Sequence, residues 1–145
     1  MPKFITTKCI LSVALGLFAL STPALGQNTG AVSVYKAQLF MLHSKADSIL
    51  ATFHSPQNRR ADLKEELFTI SKLVHRLQEE ALSSNNDDVR AGKKANKDLL
   101  IIEQACIVID FMSESMSNYI DTDDKVFLLF AKDANSLALQ MRKTL

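Results

Sequence analysis

The chain has 145 residues, of which 17 are lysine or arginine and 16 are aspartate or glutamate, so its formal net charge is +1. Proteins that bind nucleic acids carry a concentrated basic face. Here the basic residues form only short groups, such as Arg59 with Arg60 and Arg90 with Lys93, and acids are interspersed among them. We therefore expect no nucleic-acid partner. The length suits one domain with a single hydrophobic core.

The N-terminal segment, residues 1–26, has the composition of a signal peptide. Two lysines form a short basic region, and residues 10–20 carry no charge. The segment ends with the small residues Ala24 and Gly26 on either side of Leu25. Signal peptidase accepts small residues at such a position. The apolar run is about half as long as the roughly 20 residues that a membrane-spanning helix needs. We therefore predict cleavage before Gln27 and an exported mature protein, periplasmic or secreted, with no stable membrane anchor.

Residues 27–145 contain one proline and two glycines, so long helices are expected. Apolar residues recur at alternating steps of four and three, which places them on one side of a helix. Residues 55–56, 83–88 and 121–124 interrupt this pattern. The sequence therefore predicts one domain over 27–145 with helices at 31–54, 56–83, 87–119 and 122–144. Short links between amphipathic helices predict an all-α fold, an antiparallel up-down-up-down four-helix bundle.

The same spacing assigns residues to the predicted core. In helix three the core stripe contains Ala91, Ala95, Ile102, Ala105, Ile109, Met112, Met116 and Tyr119, and in helix four it contains Phe127, Phe130, Ala134, Leu137 and Met141. Cys106 is the one cysteine that remains after the predicted cleavage, so no intramolecular disulfide is expected. Its apolar neighbours favour a buried thiol that packs as a small hydrophobic group.

The sequence predicts no cofactor. His43, His54 and His75 fall outside the predicted core stripes, whereas an axial haem ligand must point into the bundle. His43, Asp47 and His54 are four and seven residues apart and lie near one stripe, which makes them weak candidates for a zinc or copper site. The other interpretation is that they are polar residues beside the buried seam. His75 is expected to form a surface pair with Glu79, one helical turn away.

The sequence also lacks a catalytic signature. It contains neither G-x-S-x-G nor a glycine-rich phosphate loop, and no nucleophile motif surrounds Cys106. A nucleophile also needs a base within hydrogen-bond reach. We therefore expect no enzyme activity.

Helix three has a narrow polar stripe. Glu103, Asp110 and Glu114 share one face through spacings of seven and four, and residues 126–131 at the start of helix four are all apolar. Three interpretations remain open: helix three is central and covered on most sides, helices three and four bind a protein partner or a second copy, or they hold an apolar ligand. The predicted interaction surface consists of Leu100, Ile101, Ile107, Val108, Phe111 and Leu128.

Two hypotheses about function follow from these patterns. The first is an exported, non-catalytic interaction or envelope protein that associates with itself through helices three and four. The alternative is a periplasmic carrier of a small ligand or metal, with copper, zinc and haem as candidates.

Expression of the full chain in a cell with a secretory pathway is expected to give an exported product that begins at Gln27, measured by N-terminal sequencing and intact mass. Leu15→Arg places a charge in the uncharged run and should leave the uncleaved chain inside the cell. An exported product that still begins at Met1 would contradict the prediction.

Overall fold

A computed structural model describes residues 28–53 and 60–145. The predicted signal peptide and His54 lie outside these residues. Within them the chain forms four α-helices and no strand, which confirms the predicted all-helical fold class. The helices are α1 (Asn28–Thr52), α2 (Arg60–Arg90), α3 (Lys97–Thr122) and α4 (Lys125–Thr144). Residues Val32–Leu145 form one compact unit.

Side chains before α3 and α4 determine where these helices begin. The side-chain oxygen of Asn96 accepts hydrogen bonds from the backbone N–H groups of Asp98 at 2.9 Å and Leu99 at 3.3 Å. At the start of α4, Asp124 accepts from the N–H of Val126 at 3.0 Å. Such caps satisfy donors that have no partner in the first helical turn. The acidic run at 121–124 thus supplies the cap of α4.

The predicted break at 83–88 is wrong, because α2 continues to Arg90. Asn85 and Asp88 lie buried within the run, and Asn85 Oδ1 accepts a hydrogen bond from the backbone N–H of Asn96 at 2.8 Å. Asparagine and aspartate are only modest helix formers. Here the end of α2 and the start of α3 are joined by the inward-facing side chain of Asn85, so the polar run remains helical.

The link between α2 and α3 therefore lies later in the chain than the pattern indicated. Gly92 follows α2 with a φ of 77°, a left-handed conformation that glycine adopts without a Cβ clash. Ala91 and Ala95, which the pattern placed in the core stripe of helix three, are exposed residues of this link.

The core is formed by large side chains of α1, α2 and α3 and by small ones of α4. Fully buried residues include Leu39, Leu67, Ile70, Leu77, Leu99, Ile102, Ile109, Met112 and Met116. In α4 the buried residues are Ala131, Ala134 and Ala138. Phe130 and Leu137 were predicted for the core but are each 44% exposed. The buried side of α4 is therefore rotated from the predicted one.

Contacts between side chains join the helices at several levels. The rings of Phe53 in the turn after α1 and Tyr119 in α3 meet edge to face, with centroids 5.4 Å apart. Lys36 in α1 forms an ion pair of 2.7 Å with Asp98 in α3. Polar contacts between α2 and α3 or its N-cap include Lys64 with Asp121, Ser71 with Asp110 and Asn85 with the backbone of Asn96. Polar contacts of α1 with α4 and the residue after it include His43 with Asn135 and Lys36 with the carbonyl of Leu145.

Asn85→Ala is expected to lower the free energy of unfolding by about 1–3 kcal/mol, because it leaves the backbone N–H of Asn96 without its acceptor. Asn86→Ala is the matched control, since Asn86 is the exposed next residue of the same helix. It should change stability by less than about 0.5 kcal/mol. Urea unfolding of both variants measures the difference, and equal effects would contradict this role of Asn85.

Candidate functional site

An apolar face lies on the outer side of α3 and continues onto α4. Leu100, Ile107 and Phe111 are 39%, 52% and 48% exposed, and their spacings of seven and four place them on one side of α3. The rings of Phe111 and Phe130 lie 6.3 Å apart between centroids, so the two helices share this surface. Leu137, two turns after Phe130, extends it along α4. We call these five residues the apolar face.

The predicted interaction surface and the apolar face agree in part. Leu100, Ile107 and Phe111 of the predicted surface are exposed. Ile101, Val108 and Leu128 are partly buried, and the last two pack against the core. That list follows.

Phe130 and Leu137 were missed because the spacing pattern assigned them to the core. Each precedes a buried alanine, Ala131 and Ala138, by one residue. One residue is about 100° of helix rotation. The buried alanines at steps of three and four were a signal for the true inward side of α4, but alanine carries little weight in a hydrophobic pattern.

Asp110 joins α2 to α3 in a small polar cluster. Its Oδ2 lies 2.8 Å from His75 Nε2, and its Oδ1 accepts a hydrogen bond from the hydroxyl of Ser71. The predicted surface partner of His75 was Glu79, one turn along the same helix; the structure pairs His75 with the neighbouring helix. The serine donates to the aspartate and not to the histidine, so the cluster lacks the nucleophile–base contact of a catalytic triad.

The buried side chain of His43 forms the centre of a polar network between α1 and α4. It was predicted to lie outside the core, but its side chain is fully buried. Arg142 donates from Nη1 to His43 Nδ1 at 2.9 Å, so Nδ1 accepts and the ring proton is on Nε2. Nε2 donates to Asn135 Oδ1 at 2.7 Å, and Asn135 Nδ2 donates to Asp47 Oδ1 at 2.7 Å. A histidine that satisfies both ring nitrogens this way can occupy the core.

Two of the three weak candidates for metal ligands, His43 and Asp47, are hydrogen-bonded within this network. Both ring nitrogens of His43 are hydrogen-bonded, and the guanidinium of Arg142 lies beside one of them. Asp47 accepts from Asn135, and His54 is outside the described residues. In the part of the chain that the structure describes, no group of three or more histidine, cysteine, aspartate or glutamate side chains is arranged to hold a metal ion.

Two buried groups have shifted acidity. Burial lowers the pKa of His43, and the charge of Arg142 lowers it further, while the hydrogen bond to Asn135 and the charge of Asp47 act in the opposite direction. Burial raises the pKa of Cys106 to about 12, with smaller contributions from nearby acids. The prediction that Cys106 is buried is confirmed, and its thiol stays protonated and unreactive.

Comparisons with known proteins do not assign this chain to a family. No protein-family model matches it, and no curated protein or solved structure matches it significantly. Among the four described helices, none is both long enough and apolar enough to cross a membrane.

Stability is expected to fall as the pH decreases through about 6.5, the ordinary pKa of histidine. The folded chain holds the pKa of His43 below that value, so the unfolded chain takes up the proton first. One proton changes the unfolding free energy by at most about 1.4 kcal/mol per pH unit. Urea unfolding between pH 7.5 and 5 measures this dependence.

His43→Gln should reduce the loss of stability on acidification, whereas His75→Gln, which removes an exposed histidine, should retain it. An NMR titration of the His43 ring checks the same shift without a substitution. A ring that titrates at or above the ordinary histidine pKa would contradict the effect of burial and Arg142.

Proposed function

We propose that this chain is an exported, non-catalytic interaction protein that associates with itself through α3 and α4. The observation that carries the proposal is the apolar face. Ile107, Phe111 and Phe130 are each more than two-fifths exposed, and they sit next to one another across two helices. Burying apolar surface contributes about 25 cal/mol per Å². Clustered exposed apolar side chains are typical of interaction surfaces.

The proposed framework for this face is an antiparallel up-down-up-down bundle. Its support is the order of the interhelical contacts. Lys64, near the start of α2, meets Asp121, near the end of α3, whereas Asn85, near the end of α2, meets Asn96, just before α3. In this arrangement the ends of α3 and α4 are fixed by short links, which keeps the two halves of the apolar face together.

Export is supported by the sequence of residues 1–26, with its basic start, uncharged run and small residues before Gln27. The mature chain would act in the periplasm or outside the cell. A lone thiol in such a compartment can form disulfides with other chains when it is exposed. Cys106 is buried and therefore cannot form such a disulfide in the folded chain. Association in that compartment would depend on the apolar face instead.

A non-catalytic role is supported by the two polar clusters. The Ser71–Asp110–His75 cluster lacks contact between serine and histidine, and it links two helices. The His43 side chain is fully buried, and its ring nitrogens are hydrogen-bonded to Asn135 and Arg142. Both arrangements connect helices, and neither presents an activated group to solvent.

The double substitution Ile107→Ser/Phe130→Ser is expected to weaken self-association by more than about tenfold, since truncating central apolar side chains of an interface commonly costs 1–2 kcal/mol or more each. Phe68→Ser is the control, because Phe68 is 62% exposed and belongs to α2, so it is not one of the five residues of this face. Light scattering coupled to size-exclusion chromatography over a concentration series measures the association.

A wild-type protein that stays monomeric at every concentration would contradict self-association. Recording the ultraviolet and visible absorbance of the same column runs tests the alternative carrier function. A co-eluting chromophore would favour that alternative.

A further inference from the structure

Two exposed stripes of opposite charge run along α3 and α4. The acidic stripe consists of Leu100, Glu103, Ile107, Phe111 and Glu114 on α3, at steps of three and four residues. The basic stripe consists of Lys125, Leu129, Lys132, Ser136, Leu139 and Lys143 on α4, also at steps of three and four. Apart from half-buried Glu103, every residue of both stripes is exposed. The residues assigned to each stripe combine apolar side chains with charges of a single sign, and exposed residues of the opposite sign, Lys97 and Asp133, lie beside them.

Within residues 28–53 and 60–145, the charges of the two stripes have no ion-pair partner. In the part of the protein that the structure describes, Glu103, Glu114, Lys132 and Lys143 make no ion pair, whereas Asp110 and Asp121 at the edge of the acidic stripe are paired with His75 and Lys64. Leu129 is 59% exposed and Leu139 is 40% exposed within the basic stripe. Both stripes therefore offer unpaired charge and exposed apolar surface to another molecule.

We infer that copies of this chain associate head to tail, with the acidic stripe of one copy bound to the basic stripe of the next. This inference rests on the proposed self-association and specifies its geometry. Glu103 and Glu114 are separated by the same number of residues as Lys132 and Lys143. At 1.5 Å per residue, each pair spans about 16 Å along its helix. Two helices with equal spacing can form both ion pairs at once.

An antiparallel docking of the two helices also matches the apolar residues. When Glu103 faces Lys143 and Glu114 faces Lys132 of the second copy, Ile107 comes opposite Leu139. Phe111 then lies close to Ser136, a small residue that leaves room for the aromatic ring. Exposed ion pairs contribute little energy by themselves. The apolar contacts would supply affinity, and the charges would set the register and exclude other alignments.

The positions of the stripes favour a head-to-tail contact over a twofold one. Phe130, which contacts Phe111, marks the side of α4 that faces α3. At about 100° per residue, the basic stripe lies roughly 100–180° around α4 from Phe130. A twofold contact centred on α3 would place Glu103 and Glu114 against the same acids of the second copy. Pairing two different surfaces avoids this repulsion and produces open chains or closed rings.

Charge reversal in both stripes tests the inference. Glu103→Lys/Glu114→Lys makes both stripes basic, and Lys132→Glu/Lys143→Glu makes both acidic. For each variant alone, the dissociation constant of self-association should rise by more than about tenfold relative to the wild type, because like charges then face each other. An equimolar mixture of the two should associate again, since every basic stripe then meets an acidic one. Sedimentation velocity of the product from full-length expression, at low and high salt, measures the assemblies.

Matched controls carry the same change in net charge outside the stripes. Asp62→Lys/Glu79→Lys alters two exposed acids of α2, and Lys72→Glu/Lys94→Glu alters two exposed lysines. Both should assemble like the wild type. Circular dichroism checks that all variants keep their helices, and added salt should weaken the wild-type assembly by screening the charges.

The outcomes separate this inference from the proposed function. Wild-type assemblies that grow beyond a dimer, are lost in each reversal and return on mixing would support head-to-tail pairing. A wild-type dimer that both reversals leave intact, but that Ile107→Ser/Phe130→Ser abolishes, would overturn it and leave the proposed self-association standing. A wild type that remains monomeric would overturn both.

Discussion

The structure depends on the burial of one side of α3 against the other three helices. Its inner residues, among them Ile102, Ile109 and Met112, are fully buried. Its polar and aromatic residues contact each neighbouring helix: Asp110 contacts α2, Phe111 contacts α4, and Asp98 contacts α1. Because α3 is held from three directions, its remaining side has a fixed orientation towards solvent, and that side carries the exposed apolar residues.

The small residues of α4 determine what this helix presents outside. Ala131, Ala134 and Ala138 form its buried side, so the larger apolar residues beside them are left partly exposed. Phe130 consequently joins Phe111 on the surface, while Leu129 and Leu139 lie among lysines on another side. The network of His43, Asn135 and Arg142 then fixes α4 against α1. A helix with a narrow buried side thus gains two separate outer surfaces.

Periodicity in the sequence was sufficient to predict four helices and the buried residues Ile102, Ala105, Ile109, Met112 and Met116 of α3, because apolar residues at steps of three and four share one side of a helix. Periodicity failed where contacts between distant parts of the chain determine the structure. Nothing local indicates that Asn85 binds the backbone of Asn96 and keeps the preceding run helical. Nor can spacing reveal that Asn135 and Arg142 satisfy His43 in the interior. Three of the six residues predicted for the interaction surface are exposed, and all three lie on α3.

The buried thiol of Cys106 gives the molecule a built-in reporter. With a pKa of about 12 and no exposed surface, it is protected from reagents while α3 remains packed. A thiol reagent therefore modifies the folded chain at a rate set by how often the helices separate around this position. The rate at which Cys106 is modified therefore measures how often the core opens. This is the same core that orients the outer surfaces of α3 and α4.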